Sequence, residues 1–244
     1  MKLLTVENAK TVHGEKLGYL TGILYLAPAN ESGVTNTCQY ASEGCKQDCL
    51  FTAGRGVFKS VYEARVKKTL WLARDRAGFL EQLRQDIKAL VKSAKRQKLT
   101  PAIRLNGTSD LAWLPVQLSA EFPDVQLYDY TKLPKPWLRT RANYHLTFSR
   151  SESNSAAVLD ALSHGINVAI VFDTPRGFNL PQSWNGYKVL DGDVHDLRFL
   201  DGYQSAVIGL RAKGRARKDS PANGSGFVLA DSLFTPISRR RLVA

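Results

Sequence analysis

The chain has 244 residues, 43% hydrophobic and 23% charged, the proportions of a folded globular protein with a core of ordinary size. No stretch approaches the roughly 18 apolar residues of a membrane span, and residues 1–8 turn charged too early for a secretory signal, so a cytoplasmic protein without membrane contact is expected. A net charge of +12 and a pI near 9.7 favour a polyanionic partner, and in a cytoplasm the commonest is nucleic acid.

The first clear element is a short apolar run between Glu15 and Pro28, rich in strand formers, which predicts a buried strand. Pro28, Asn30, Ser32 and Gly33 break it into a loop. That loop, 36–56, carries every cysteine of the chain: Cys38, Cys45 and Cys49. Thiolates gathered in one loop are natural ligands of zinc or of an iron–sulfur cluster. A disulfide with one thiol left over is the competing chemistry, and an odd count in a reducing compartment weighs against it. Zinc needs a fourth ligand, yet His13, His145, His164 and His195 are all remote in sequence and there is no Cys-x-x-Cys knuckle. The Gly54-Arg55-Gly56 turn that follows offers backbone N–H groups to a phosphate, or simply lets the loop fold back.

After Gly56 about 40 residues read as helix, in two pieces divided near Gly78. The second piece sets Phe79, Leu80, Leu83, Ile87, Leu90, Val91 and Ala94 on one face. Lys88, Lys92, Lys95 and Arg96 decorate the rest, a solvated face that also suits a phosphate backbone. Strands then alternate with helices or crossovers. They begin near Pro101, Val125, Tyr144, Ile166, Tyr187 and Ala206, with a helix from Asn154 to Ser163, so six or seven strands in a mainly parallel sheet or barrel are expected. No repeat or linker divides the chain, and a single α/β domain over 1–244 follows. The chain from about 211 reads as a basic, flexible tail, with Arg215, Arg217 and Lys218 followed by Pro221 and later by Arg239, Arg240 and Arg241. Such a tail either solubilises the protein or wraps single-stranded nucleic acid.

Polar residues recur where these strands end. They include Asn106, Thr108, Ser109 and Asp110; Asp129 and Lys132; Ser149, Arg150 and Glu152; and Asp173, Asp191 and Asp193. In a parallel barrel such ends meet at one mouth, which the cysteine loop also lines. Arg104, inside an apolar strand, needs an internal partner or a ligand.

With the cysteine loop, the segments Arg104 to Asp110, Tyr128 to Lys132 and His145 to Glu152 make the sequence resemble the bacteriophage gene product 88 family, from about Gly14 to Phe227. That family is in turn distantly similar to the radical S-adenosylmethionine (SAM) superfamily. The resemblance implies a partial parallel (β/α) barrel whose cysteine loop binds a [4Fe–4S] cluster with one iron open to SAM. By it, Cys38, Cys45 and Cys49 are the cluster ligands, and Thr108, Ser109 and Asp110 occupy the turn that holds the methionine moiety. Asp129, Ser149 and Arg150 are further candidates for binding that cofactor. The cysteine spacing is wider than the superfamily's, and an Asp stands where its turn has Glu. The expectation is therefore an iron–sulfur protein that binds nucleic acid in phage replication or host takeover, in the host cytoplasm. Lys88, Lys92, Lys95, Arg96, Arg215 and Arg217 are the candidate contacts. A radical SAM-type enzyme is the alternative.

Overall fold

The computed structural model describes residues 1–7, 9–217, 224–231 and 235–236. From the amino terminus, β1 (Leu4–Thr5) and α1 (Ala9–Glu15) lead into β2 (Tyr19–Leu24). The cysteine loop contains α2 (Glu43–Gln47) and is followed by α3 (Lys59–Arg74) and α4 (Arg76–Gln97). Next come β3 (Thr100–Arg104), α5 (Trp113–Glu121), β4 (Gln126–Thr131), β5 (Tyr144–Ser149), α6 (Ser155–Ser163) and β6 (Val168–Phe172). Five short strands complete the order: β7 (Phe178–Asn179), β8 (Ser183–Trp184), β9 (Tyr187–Asp191), β10 (Val207–Arg211) and β11 (Thr235–Pro236).

Nine of the strands form one sheet in the order β1-β2-β3-β4-β5-β6-β10-β9-β8. Pairings from β2 through to β9 are parallel, and only the edge strands β1 and β8 run antiparallel to their neighbours. The two short edge strands add to the six or seven expected. The sheet is open, its edges being β1 and β8, so it does not close into a barrel.

Right-handed crossovers decide which face each connection covers. From β2 to β6 every new parallel strand is added on the same side, which sends all the intervening helices to one face. There Leu20 and Leu24 of β2, Ile103 of β3 and Leu127 of β4 pack with Leu83, Ile87 and Leu90 of α4 and Leu114 and Leu118 of α5. Phe148, Val168 and Ile170 continue this core under Val158 and Leu162 of α6. Packing at Gly22 is tight: a Cβ would come within 3.0 Å of Leu90 and 3.2 Å of Leu4, and those side chains would have to shift by a few tenths of an ångström.

The direction reverses at the last step. β10 returns to insert between β6 and β9, so the 192–206 connection must cross the opposite face. Leu197 and Phe199 from it cover Ala102, Tyr19 and Tyr128, with Phe199 edge-on to both tyrosine rings. Asp196 accepts two hydrogen bonds from Arg104 Nη1, at 2.9 and 3.1 Å, supplying the internal partner that this strand arginine needs. Tyr203 stacks on His145. The far end of the connection is tied down by Asn167, which donates to the Gly202 carbonyl and accepts from the N–H groups of Gln204 and Ala206.

Asn167→Ala strands all three of these backbone groups. It should lower unfolding free energy by about 2–3 kcal/mol, read by urea denaturation. An unchanged midpoint would mean that the connection is held elsewhere.

Candidate metal centre

The cysteine loop leaves β2 at the carboxyl edge of the sheet, and short-range contacts fix its path. Thr37 Oγ1 donates to the Ala27 carbonyl at 2.6 Å, and Cys38 N–H donates to Asn36 Oδ1 at 2.8 Å. The Asp110 N–H, beyond the end of β3, donates to the Thr37 carbonyl at 2.8 Å. Cys38 Sγ lies 3.7 Å from the Thr108 carbonyl. Ser42 caps α2 by accepting from Cys45 N–H, and the Glu152 carboxylate beyond β5 takes the Ser42 hydroxyl at 2.8 Å and Gly44 N–H at 2.9 Å. Gly44 must lack a side chain, since a Cβ would meet Ser225 Oγ at 2.6 Å and Glu152 Oε2 at 2.9 Å. Cys49 then precedes the 3-10 turn Leu50–Thr52.

The three cysteines form no disulfide, are half-buried, and stand within electrostatic reach of one another. Burial raises the Cys38 thiol, the Asp110 and Cys45 charges add to this, and hydrogen bonds from Ala29 and Thr37 oppose it. Burial lifts Cys49 to about 11; Cys45 and Cys38 add to the rise, while a contact with the Phe51 backbone and the Lys132 charge oppose it. Without a metal these two are neutral thiols at neutral pH, so loading a metal must displace their protons.

Arg65 is a residue that the sequence reading passed over, because it lies within a long basic helical run. Its guanidinium stands over the Tyr25 ring at 5.1 Å and near the Phe51 ring at 6.0 Å. Its Nε and Nη1 are buried without a hydrogen-bond partner among the described residues, within electrostatic reach of Cys49. Orphaned donors of a cation beside a thiol suit an anionic group, and a cluster held by three thiolates is one. Among the described residues no three His, Cys, Asp or Glu side chains are gathered closely enough for a metal ion.

The residues expected to receive SAM lie at the strand ends on this edge and are engaged with other protein groups. Thr108 Oγ1 donates to the Leu26 carbonyl, Ser109 Oγ to Asn106 Oδ1, and Asp110 Oδ2 accepts from Lys132 N–H at 2.7 Å. Asp129 accepts from both the backbone N–H and the side-chain amide of Asn106, at 2.7 and 3.3 Å. Ser149 ends β5 half-buried, and its carbonyl accepts from Asn154 Nδ2. Arg150 Nη1 donates to the Gly226 and Phe227 carbonyls at 2.6 and 2.8 Å, while Lys132 stands over the Phe227 ring. Residues 224–231 thus run along the carboxyl edge, and Leu229 pairs with Phe172 at the end of β6.

The basic candidates separate into two groups. Lys88, Lys92, Lys95 and Arg96 are exposed on α4, whose last turn leads into the start of β3, at the edge opposite the cysteines. Arg211, expected at the start of a flexible tail, closes β10 and pairs with Asp191 and Asp193. Arg215 and Arg217 are exposed on a 3-10 turn, Gly214–Arg217, that contacts Leu50–Thr52 of the cysteine loop. Lys218, Pro221 and Arg239 to Arg241 lie outside the described residues.

The family model of gene product 88 matches residues 2–229. The chain belongs to the gene product 88 family. No curated protein and no solved structure matches it. The family match spans the cysteine loop, all the strand-end residues above and the 224–229 segment that crosses them.

Two outcomes test this arrangement. Glu152→Ala should release α2 from β5 and speed labelling of Cys45 by a thiol reagent several-fold, relative to an unchanged rate if the loop holds itself. Burial lifts Asp129 to about 7 from its ordinary 3.8, with the Asn106 hydrogen bonds and Arg104 opposing. The stability carried by its protonated form is complete below about pH 4 and is lost as pH rises through about 7. Denaturation across that range should show this loss in the wild type and a smaller one in Asp129→Asn.

Proposed function

We propose that Cys38, Cys45 and Cys49 hold a [4Fe–4S] cluster and that the protein binds nucleic acid beside it, in the cytoplasm of a phage-infected host. The observation that supports the cluster is the placing of three mutually coupled thiols in one loop beside Arg65, whose buried Nε and Nη1 have no hydrogen-bond partner among the described residues. The sequential parallel run from β2 to β6, with helices on one face, supports only the β/α order of a radical SAM-like barrel, since the sheet stays open. When bound, such a cluster supplies one-electron chemistry and a cross-link that orders its loop. The net charge of +12 and the placement of Arg215 and Arg217 against that loop support the nucleic-acid part.

Reductive cleavage of SAM is the second reading. It draws support from the turn at Thr108 to Asp110, which lies against Cys38 where a methionine-holding turn would be needed. Against it, Asp110, Asp129 and Arg150 already have protein partners, so SAM would have to replace those contacts.

Anaerobically purified protein should contain about four irons and four sulfides per chain, and Cys45→Ala should lose them. Its affinity for single-stranded nucleic acid should fall steeply with added salt. Zinc alone or no metal would end the cluster reading. Formation of 5′-deoxyadenosine from SAM by the reduced protein would establish the second reading.

A further inference from the structure

At the carboxyl edge, beyond the cysteine loop, the ends of β6, β9 and β10 enclose a cleft of ≈ 1170 Å³, reached on one side by Ala53 and Gly54. The cleft follows from the topology. The connection from β6 to β9 runs over the helical face, where Leu180 and Trp184 join the core. The one from β9 to β10 runs over the other face through Leu197 and Phe199. Where consecutive connections leave a parallel sheet on opposite faces, a crevice opens outside the strand ends, and open α/β sheets bind their ligands there. Four cations and three carboxylates line it. Arg211 is held by Asp191 and Asp193, Lys213 by Asp193 at 2.5 Å, and Asp173 accepts from Asp231 N–H. Arg176 and Arg217 are exposed and make no ion pair among the described residues; set against Asp173, they leave the cleft a surplus of one positive charge. Gly54 and Gly177 adopt positive φ, with open space where a side chain would stand, which leaves those walls bare for close approach of a ligand.

We propose that this cleft seats the phosphate backbone of the nucleic acid, with Arg176 and Arg217 as its contacts. The inference rests on the nucleic-acid reading above and adds the location. Arg217 comes from the turn that packs on Leu50–Thr52, so the seat directly adjoins the segment after Cys49. The lysines of α4, by contrast, stand on a convex helical surface at the other edge, where a phosphate gains only solvent-screened attraction.

The test measures anisotropy of a labelled oligothymidylate of about twenty nucleotides across a salt series, for the full chain and two variants. One carries Arg176→Gln with Arg217→Gln, and the other Lys92→Ala, Lys95→Ala and Arg96→Ala. All five side chains are exposed, and unchanged thermal melts confirm folding. Losing two phosphate contacts should lower affinity roughly twenty-fold near 0.1 M salt and reduce the logarithmic salt slope by about 1.4. The helix variant should stay within about twofold of the wild type. Wild-type affinity in the cleft variant, with loss in the helix variant, overturns the location and leaves the nucleic-acid reading standing. A wild type that binds neither oligothymidylate nor oligouridylate at low salt overturns both.

Discussion

The Glu152 carboxylate anchors the middle of the cysteine loop. The loop leaves β2 with many glycines and polar residues and has little apolar surface of its own to bury. One carboxylate beyond β5 takes both the hydroxyl that caps α2 and a backbone N–H of its first turn, which fixes the helix carrying Cys45 over the sheet edge. A charge-assisted pair of this kind is worth roughly twice a neutral hydrogen bond. Cys38 is positioned from another direction, through Thr37 and the turn after β3. Three separate strand ends thus hold the loop, and parallel strands put those ends on one edge, which leaves the three thiols on that edge within electrostatic reach of one another.

The same parallel order explains why the face opposite the helices is polar. Arg104, Tyr128 and His145 sit side by side on neighbouring strands, and the hydroxyls of Tyr128 and Thr147 and the Nε2 of His145 have no hydrogen-bond partner among the described residues. Burial, with the Arg198 charge adding to it, lowers His145 to about 4, so its ring is neutral at neutral pH. An apolar strand connection could not cover such a face at low energy. The 192–206 segment meets it with Asp196 for Arg104 and with aromatic rings for the tyrosines and the histidine. A buried ion pair adds little net stability, because desolvation offsets its attraction. Its consequence here is specificity, since a shift of the connection by one residue would leave Arg104 buried and uncompensated.

The parts of this fold that were legible in the sequence are those set by local pattern. The apolar runs of β2, β3, β5, β6 and β10 and the stripe of α4 name their own elements, as does the cysteine loop. The polar strand ends were legible as a group, and the structure joins Asn106 to Asp129 and Asp110 to Lys132. What the pattern does not carry is long-range order. The edge strands β1 and β8 span two residues each, too short for any alternation to show. The insertion of β10 between β6 and β9 is a matter of topology, and with it come the cleft, the covered inner face and the open sheet. Arg65 was hidden for a different reason. In a helix crowded with lysines and arginines, nothing in the sequence marks the one whose head turns inward over Tyr25 and Phe51.

Burial around the cysteines would act in opposite directions on bare thiols and on the proposed cluster. Desolvation disfavours an isolated thiolate, which is why Cys38 and Cys49 are pushed up, and each neighbouring thiolate makes the next harder to form. A cationic cluster core reverses the sign of that argument. In the proposed site it would compensate all three thiolates at once and leave a small net negative charge, with Arg65 and Lys132 within electrostatic reach of Cys49. The desolvation that works against the empty site then works for the filled one, because attraction between the core and its ligands is strongest where water is excluded. Under that proposal, order in the loop and occupancy of the site would be coupled. The neighbouring cleft shares Ala53 and Gly54 with the loop, so a change of loop order would reach its wall.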